Sequence, residues 1–363
     1  MNPEEFWSLP GPRRFVAAAV SDVLDGKCVV ARAPLILLDD LASEIRRHLR
    51  EREYWFDTLT PSTEPLQALS LALPKQDGPP VLRTIIDACG PTRRIMLVTV
   101  TDAKIWPEWA SLLLKFHQQI VRLDEHTRPI LVITTSCSVR SLCDEVALRI
   151  RAWDGAWTET DSIALAQSFS HGLWSDSFVE KVAVHTVASL AIWDTQLCAR
   201  LTASTKEMFS DPLNLLKEVA SSRGWTARSQ EDEDMGTAGY LDGRRVMHSA
   251  LLAVRADDSP QGRHARAELD RRTWKAQAAV LLPWIEEQRL RLVRDIARFL
   301  PIRDEDPPEI REIGSIWFEL RRTNAPANQK WKVSLLRDAR NTLAHRDILS
   351  EAQLKMLETT FKY

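Results

Sequence analysis

The sequence predicts an α/β amino-terminal domain with a mostly parallel sheet, followed by a helical segment and an all-α carboxyl-terminal helix bundle. Three observations support this fold class. Apolar runs alternate with helical runs over residues 1–170. Helical patterns continue from about residue 175 to 225, and residues 246–363 are almost wholly helical in pattern. Apolar strands that alternate with helices are typical of a parallel sheet covered on both faces.

The amino-terminal domain contains three predicted strands. They lie in KCVVARAP, which begins at Lys27, in IMLVTVTD (95–102) and in PILVITTS (129–136). Predicted helices lie in FVAAAVSDVL, LDDLASEIRRHL and WPEWASLLLKFHQQIV. Ligands of such sheets usually bind at the carboxyl ends of the strands, so a site is first expected there.

Residues 171–245 are expected to form a helical or winged-helix-like segment and a linker. Asp211 followed by Pro212 predicts a helix start, and Gly224 predicts a helix end. The following stretch, SQEDEDMGTAGYLDGRR (229–245), is polar and acidic and contains glycines. We interpret it as a loop or linker between domains.

The pattern of residues 246–363 predicts five helical segments joined by short loops, which indicates a bundle. Pro283 should kink one long helix or separate two helices. The sequence RDEDPPE (303–309) predicts a charged loop. Ser350 and Gln353 form a capping box that predicts the start of the last helix.

Composition limits the class of protein. A length of 363 residues suggests two or three domains, and 44% apolar with 27% charged residues is ordinary for globular chains. No window reaches the roughly 18 apolar residues of a membrane span, and the first residues lack a signal-peptide pattern, so we expect a cytoplasmic protein without a membrane partner. Five scattered cysteines favour free thiols over a disulfide scaffold or a zinc site.

The residues after the first predicted strand lack the chemistry of a phosphate-binding loop. They read VVARAPLILLDDLASE, with no glycine to let backbone N–H groups approach a phosphate and no lysine to pair with it. Asp102 and Ser136 follow the next two strands, but polar residues are common at strand ends. The layout of residues 1–225 resembles a degenerate P-loop ATPase domain of the signal-transduction type. The resemblance implies a sheet that binds partners or has lost hydrolysis, and we expect neither a cofactor nor a metal ion.

One constellation with catalytic chemistry lies near the carboxyl end. The sequence LLRDARNTLAHRDIL places Arg340 and Asn341 ahead of His345. It resembles the R-x4-6-H motif of the HEPN family, because a polar residue follows the arginine, Leu343 and Ala344 precede the histidine, and the motif lies in the penultimate predicted helix. The resemblance covers residues 260–363. It implies a small helical-bundle domain of a kind that is often a metal-independent ribonuclease and pairs its sites across a dimer.

The residue types suit that chemistry. RNA cleavage by its own 2′-hydroxyl needs a proton acceptor, a proton donor and stabilisation of a charged phosphorane. Histidine suits proton transfer near neutral pH, which is the role implied for His345. Arginine presents a fixed fork of donors to phosphate oxygens, as implied for Arg340. Asn341 would orient the substrate or the histidine.

Helical geometry leaves a structural alternative open. Five residues correspond to about 500° of rotation, so Arg340 and His345 lie about 140° apart on a straight helix. Both would line one cleft only if the helix end distorts or a partner subunit packs over that side. In the alternative, Arg340 pairs with a carboxylate and His345 stabilises a helix carboxyl terminus.

Charge distribution favours RNA as a partner of the carboxyl-terminal part. The chain has a net charge of −2, whereas residues 261–363 hold 20 Lys/Arg and 15 Asp/Glu. That part therefore carries +5, and positive charge is what phosphate binding requires. Two hypotheses result. The first, which the HEPN resemblance implies, is a metal-independent ribonuclease of a prokaryotic toxin, stress or phage-defence system, acting as a homodimer and held inactive until a protein partner signals. The second is a catalytically silent scaffold that binds protein partners.

Overall fold

The computed structural model describes residues 3–50, 55–73, 80–89, 94–170, 177–233, 235–257, 259–301 and 308–361. The chain forms two compact units. The sheet unit comprises Met1–Asp161 and Gln230–Met247, and the helical unit comprises Ser162–Ser229 and His248–Tyr363. Each unit is thus built from two separate stretches of chain. This division differs from the consecutive segments 1–170, 171–245 and 246–363 that the sequence pattern suggests.

A five-stranded sheet lies at the centre of the sheet unit. Its strands are β1 (Cys28–Arg32), β2 (Trp55–Leu59), β3 (Arg94–Val100), β4 (Ile130–Thr135) and β5 (Leu148–Ala152). They follow the order β2-β3-β4-β1-β5, and every neighbouring pair is parallel. The predicted α/β class with a parallel sheet is therefore confirmed.

Helices cover both faces of this sheet. The unit contains α1 (Pro3–Ser8), α2 (Pro10–Leu24), α3 (Leu38–Arg50), α4 (Pro65–Leu71), α5 (Leu82–Ala88) and α6 (Trp106–Ile120). It also contains the start of α7 (Glu159–Ser170), most of which belongs to the helical unit. Val30, Val98 and Ile133 project from three adjacent strands into a core that they share with Trp109 and Phe116 of α6. Side chains alternate between faces along a strand, so the residues between them face α2 and α3.

Residues 229–245 are not a simple linker. They contain most of an antiparallel hairpin, β6 (Ala238–Leu241) and β7 (Arg244–Met247), which belongs to the sheet unit. Asp242 and Gly243 form its two-residue turn with φ angles of 50° and 74°. Positive φ at both positions is the property of a type I′ turn, which is favoured by Asp-Gly. The prediction of a loop or linker is therefore wrong for residues 238–245, where Asp242-Gly243 closes a hairpin.

The helical unit contains helices and no strand within its described residues. Its helices are α8 (Phe178–Ala191), α9 (Thr195–Ala203), α10 (Thr205–Ser210), α11 (Pro212–Ser222), α12 (Ser249–Arg255), α13 (Pro260–Ile296), α14 (Ile313–Leu320), α15 (Ala327–Ala344) and α16 (Glu351–Phe361). Short 3-10 turns lie at Leu35–Leu37 and Trp153–Gly155 in the sheet unit, and at Ala297–Phe299 and Pro308–Ile310 in the helical unit. The core of this unit includes Leu281 and Ile285 of α13 together with Leu336 and Leu343 of α15.

Helix α13 runs through Pro283 without interruption. A proline removes the hydrogen bond to the carbonyl four residues earlier, here that of Ala279. Both Pro283 and Ala279 are exposed, so water can satisfy this carbonyl. Of the two alternatives predicted at Pro283, the structure shows one long helix of 37 residues and not two separate helices.

Three predicted helix ends are confirmed. The Asp211 carboxylate accepts a hydrogen bond from the N–H of Asn214 at the start of α11, and Gly224 follows the end of that helix with φ 68°. Ser350 accepts a hydrogen bond from the N–H of Gln353, whose side chain accepts one from the N–H of Ser350. The predicted loop at 303–309 lies mostly outside the described residues. No described helix is both long and apolar enough to span a membrane.

Candidate functional site

The end of α15 fixes the backbone of the predicted catalytic motif. His345 is the residue that caps the helix, and its N–H donates to the carbonyl of Asn341 at 3.0 Å. Arg346 follows with φ 64°, and Asp347 donates from its N–H to the carbonyl of Thr342 at 3.0 Å. This is the Schellman arrangement, which ends a helix at a defined residue. The motif is therefore split between the last helical turn and the cap.

Arg340 lies beside the start of α14. One of its Nη atoms is 3.5 Å from a carboxylate oxygen of Glu312, and the two side chains are 42% and 76% exposed. Arg340 also lines a cavity of about 240 Å³ between α13, α14 and the end of α15. The cavity is smaller than the 300–1,000 Å³ that drug-sized ligands occupy. A phosphate group with part of its sugar is a better match in size.

Two buried arginines line the same cavity. Arg289 hydrogen-bonds to Glu286 and donates to the backbone carbonyl of Arg311 at 2.9 Å. The Arg311 guanidinium donates to Glu319 at 2.9 Å. Hydrogen bonding to the Glu286 carboxylate raises the pKa of Arg289 and lowers the pKa of Glu286, so both groups stay charged. Arg340 is thus the most exposed of three guanidinium groups around one cavity.

Asn341 and His345 lie on another side of α15. Both side chains are exposed, and neither hydrogen-bonds to any residue that the structure describes. They are four residues apart, so they share one face of the helix end. Neither of them lines the cavity that Arg340 enters. Within one chain, the structure therefore brings Asn341 and His345 together but leaves Arg340 on a different face.

Sequence reasoning counted Arg289 among clustered helix arginines but assigned neither Arg289 nor Arg311 to a site. They precede Arg340 by 51 and 29 residues, and no local pattern connects them. Helix packing alone brings them to one cavity. The only sequence signal was the excess of arginine on the predicted helices of residues 261–363, which does not distinguish buried arginines from solvated ones.

The carboxyl edge of the sheet contains ion pairs at the place where a phosphate loop would lie. Arg32 ends β1 and contacts the carboxylates of Asp154 at 2.8 Å and Glu233 at 2.7 Å. Burial alone would lower the pKa of Arg32, but these two carboxylates raise it above its usual value. The next helix, α3, has Asp39 and Asp40 in its first turn, which repel an anion. At the end of β1, the described positive charge is therefore already neutralised by carboxylates.

The two polar strand ends singled out in the sequence are part of the sheet architecture. A carboxylate oxygen of Asp102 accepts a hydrogen bond from the N–H of Lys104 at 2.7 Å, and the Asp102 carbonyl accepts from the first turn of α6. Ser136 is half-buried in the turn after β4. Among the residues described, no group of three or more His, Cys, Asp or Glu side chains is arranged to hold a metal ion.

A buried polar cluster in the helical unit was also missed. Asp194 caps α9 by accepting from the N–H groups of Gln196 at 3.0 Å and Leu197 at 2.9 Å. It also accepts from Arg223 and from Nε2 of His248, the latter at 2.8 Å. Nδ1 of His248 accepts from a backbone N–H at the start of α12, so Nε2 carries the proton of the neutral ring. The cluster ties three helix ends together, the starts of α9 and α12 and the end of α11.

Comparison with known proteins gives distant likenesses only. No protein-family model matches the chain, and no curated protein matches it. Among solved structures, a point mutant of Thermotoga maritima RuvB is 12% identical with a TM-score of 0.29, covering 95% of this chain and 93% of that chain. Aeropyrum pernix ORC1 in complex with DNA is 11% identical with a TM-score of 0.33, covering 98% and 94%. Drosophila ORC bound to DNA is 12% identical with a TM-score of 0.27, covering 93% and 80%. At these scores the likenesses assign no family, and the function has to be argued from the chain's own residues.

Proposed function

We propose that this chain is a metal-independent endoribonuclease, the effector of a prokaryotic toxin, stress or phage-defence system. His345 acts in proton transfer, Arg340 stabilises the phosphorane and Asn341 orients the substrate. One observation carries the proposal: the three side chains meet solvent at the end of one helix, and two of them have no described partner. Exposed side chains without a described partner are accessible to an RNA phosphate and its 2′-hydroxyl.

The reaction needs nothing beyond such groups. A base removes the proton of the 2′-hydroxyl, whose oxygen attacks the adjacent phosphorus. An acid protonates the departing 5′-oxygen as the bond from phosphorus to this oxygen breaks. The products are a 2′,3′-cyclic phosphate and a 5′-hydroxyl. An imidazole can perform either proton transfer, and a guanidinium fork stabilises the charge that develops on phosphorus-bound oxygens.

The Glu312 pair leaves Arg340 available to a phosphate. Ion pairs between exposed side chains contribute only about 0.2–1 kcal/mol. A phosphate accepts stronger, charge-assisted hydrogen bonds from a guanidinium and can use two of its donors at once. Displacing Glu312, which is itself mostly exposed, therefore costs little.

The different faces of Arg340 and His345 favour a composite site. We propose that two chains form a homodimer in which the two copies of α15 lie side by side. Each cleft then receives Arg340 from one chain and His345 from the other, although the two residues face different sides of α15 within one chain. A monomeric mass by light scattering at micromolar concentration, under conditions in which the protein cuts RNA, would contradict this arrangement.

The test is cleavage of total RNA in EDTA. We expect the parent protein to fragment RNA and an Arg340→Ala/His345→Ala variant to leave it intact. A matched control, Arg266→Ala/His264→Ala, removes an exposed arginine and an exposed histidine from α13 and should cut like the parent. Equal fragmentation by the Arg340→Ala/His345→Ala variant would assign the cleavage to a contaminant and refute the proposal.

The same contacts also favour a second function, in which Arg340 and His345 only stabilise the helix bundle. Arg340 does pair with a carboxylate, and His345 does occupy the carboxyl cap of α15. In that case the chain is a catalytically silent scaffold that binds protein partners. Intact RNA with every variant, in the presence of the native partners as well, would select this alternative.

A further inference from the structure

Helices α14 and α15 form an antiparallel hairpin with a strong excess of positive charge. Between Ile313 and Arg346 the sequence contains seven Lys/Arg and two Asp/Glu, although the whole chain has a net charge of −2. One of the two carboxylates, Glu319, is bound to the buried Arg311 guanidinium. The other, Asp338, is paired with Arg337. The hairpin therefore presents positive charge that its own carboxylates leave largely uncompensated.

The hairpin also exposes aromatic rings. Phe318 is 48% exposed near the end of α14, and Trp331 is 52% exposed near the start of α15. The guanidinium carbons of Arg321 and Arg322 lie 4.5 Å and 4.2 Å from the centre of the Phe318 ring. Most other tryptophans of the described chain are at least half-buried, as packing in a core requires. Exposed rings combined with cations are a property of surfaces that bind single-stranded nucleic acid.

The two arginines on Phe318 have no carboxylate partner among the described residues. Elsewhere in the helical unit, exposed arginines such as Arg271 and Arg291 pair with a glutamate on their own helix. Arg321 and Arg322 are thus held in place by the aromatic ring rather than by a carboxylate of the described residues. The loop between the helices is held as well, because Nζ of Lys330 donates to the carbonyl of Thr323 at 2.6 Å.

The face of α15 that carries Trp331 leads to the proposed catalytic end. Trp331 and His345 are 14 residues apart, which is close to four full turns, so they lie on one side of the helix about 21 Å apart along its axis. A strand stacked at about 3.4 Å per nucleotide would place about six nucleotides over this distance. Midway along this face lies Asp338, seven residues from each end, and its charge is paired with Arg337 at 2.6 Å.

We propose that this surface, the hairpin track formed by Phe318, Arg321, Arg322 and Trp331, binds single-stranded RNA and leads it to His345. The inference rests on the proposed ribonuclease function for the choice of RNA. Bases of a single strand stack on Phe318 and Trp331, and its phosphates pair with Arg321 and Arg322. A duplex buries the faces of its bases, so it gains only the phosphate contacts.

Binding is measured with the full chain carrying Arg340→Ala/His345→Ala, so that RNA is not cut during the experiment. Fluorescence anisotropy compares a labelled, unstructured 12-nucleotide RNA with a 12-base-pair RNA duplex between 50 and 200 mM salt, with these lengths chosen to exceed the roughly six-nucleotide track. We expect tighter binding of the single strand. Further substitution of Phe318→Ala or Trp331→Ala should weaken it about 5- to 150-fold, since each ring stacks on one base. Trp331→Phe should retain most of the affinity.

The arginines have a matched control. Arg321→Ala/Arg322→Ala should reduce the steepness of the salt dependence by about 1.4, because each phosphate that is no longer neutralised on a single strand lowers it by about 0.7. Arg294→Ala/Arg298→Ala removes the same charge from exposed positions, one of which also lies on an aromatic ring, Phe299. We expect this second pair of substitutions to leave the steepness unchanged. An equal reduction by both pairs would mean that only net charge matters, and would overturn the track.

Three other outcomes test the hairpin track and the ribonuclease function separately. Absence of RNA binding, or equal binding of strand and duplex, overturns the track; in the first case the surface would suit an acidic protein partner. RNA binding that depends on the track, with no cleavage by the parent chain, refutes the ribonuclease and supports the track. Cleavage that Phe318→Ala/Trp331→Ala leaves unchanged supports the ribonuclease and overturns the track.

Discussion

Replacing Asp194 with alanine is expected to lower the free energy of unfolding of the helical unit by about 4 kcal/mol. The carboxylate is 9% exposed and serves two functions at once. It caps α9 through two backbone N–H groups, and loss of such a cap costs about 1 kcal/mol. It also neutralises Arg223 and accepts a hydrogen bond from Nε2–H of His248. Removing one partner of a buried charged pair of this kind costs about 3–5 kcal/mol. Arg223 reaches solvent in part, which favours the lower half of that range.

The assay is urea unfolding followed by tryptophan fluorescence. The Trp225 ring lies 4.9 Å from His248 and reports on this cluster. A loss of 4 kcal/mol corresponds to a decrease of about 8–16 °C in the melting temperature of a unit of this size. Asp194→Asn is the control, because asparagine still caps a helix but carries no charge, so its loss should be smaller by the share of the cap alone, about 1 kcal/mol. A loss below about 1 kcal/mol for Asp194→Ala would refute the reasoning, because it would leave only the helix cap.

Four further predictions concern other sites. Burial lowers the pKa of His248, although Asp194 opposes this shift. The folded state therefore has its full stability above the pKa of a histidine in the unfolded chain, near 6.5, and loses stability as the pH falls below that value. Urea unfolding at pH 7.5 and 5.5 should show this loss of free energy of unfolding, and His248→Gln should abolish it. Gly11→Ala should destabilise the sheet unit by at least about 2 kcal/mol in thermal melts, because its Cβ would lie 1.9 Å from a backbone oxygen, whereas Gly155→Ala, with open space around it, should change little. Cys143 is exposed and the other four cysteines are buried, so a thiol reagent should label one thiol per folded chain. Local desolvation raises the pKa of Cys143, so its reactive thiolate form, and with it the rate of labelling, should increase as the pH rises. Labelling of the folded Cys143→Ser variant would contradict this. Glu312→Gln should increase metal-independent RNA cleavage up to about fivefold by releasing Arg340, and a decrease would contradict a competing role for that carboxylate.

The central strands could be predicted from sequence, whereas the edge strands could not. Strands β1, β3 and β4 are apolar runs, because both of their faces are covered. Strand β2 reads WFDTL and β5 reads LRIRA, and each has a neighbour on one side only. Their charged residues, Asp57 in β2 and Arg151 in β5, pair with Arg94 and Asp22. A polar residue satisfied by a distant partner removes the apolar pattern on which the prediction depends.

In the candidate site, too, one part could be predicted from the sequence and the other part could not. The motif residues Arg340, Asn341 and His345 are local in sequence, and helical geometry alone predicted that Arg340 and His345 would face different directions. The structure places Arg340 in a cavity and His345 on the outer cap, in agreement with that rotation. The arginines that share the cavity and the rings of the hairpin track come together only through packing between helices. A single sequence contains no signal of that packing.

The interleaving of the two units has a consequence for synthesis on the ribosome. Val182 of α8 packs in the same core as Leu281 of α13, which is made 99 residues later. At about 5–20 residues per second, α8 waits roughly 5–20 seconds for its partner, with its apolar side uncovered. During that interval the hairpin of β6 and β7 emerges and completes the sheet unit through Glu233 and Arg32. The nascent chain therefore finishes its first unit while the second is still open, and a chaperone that binds apolar helices would find its target in this window.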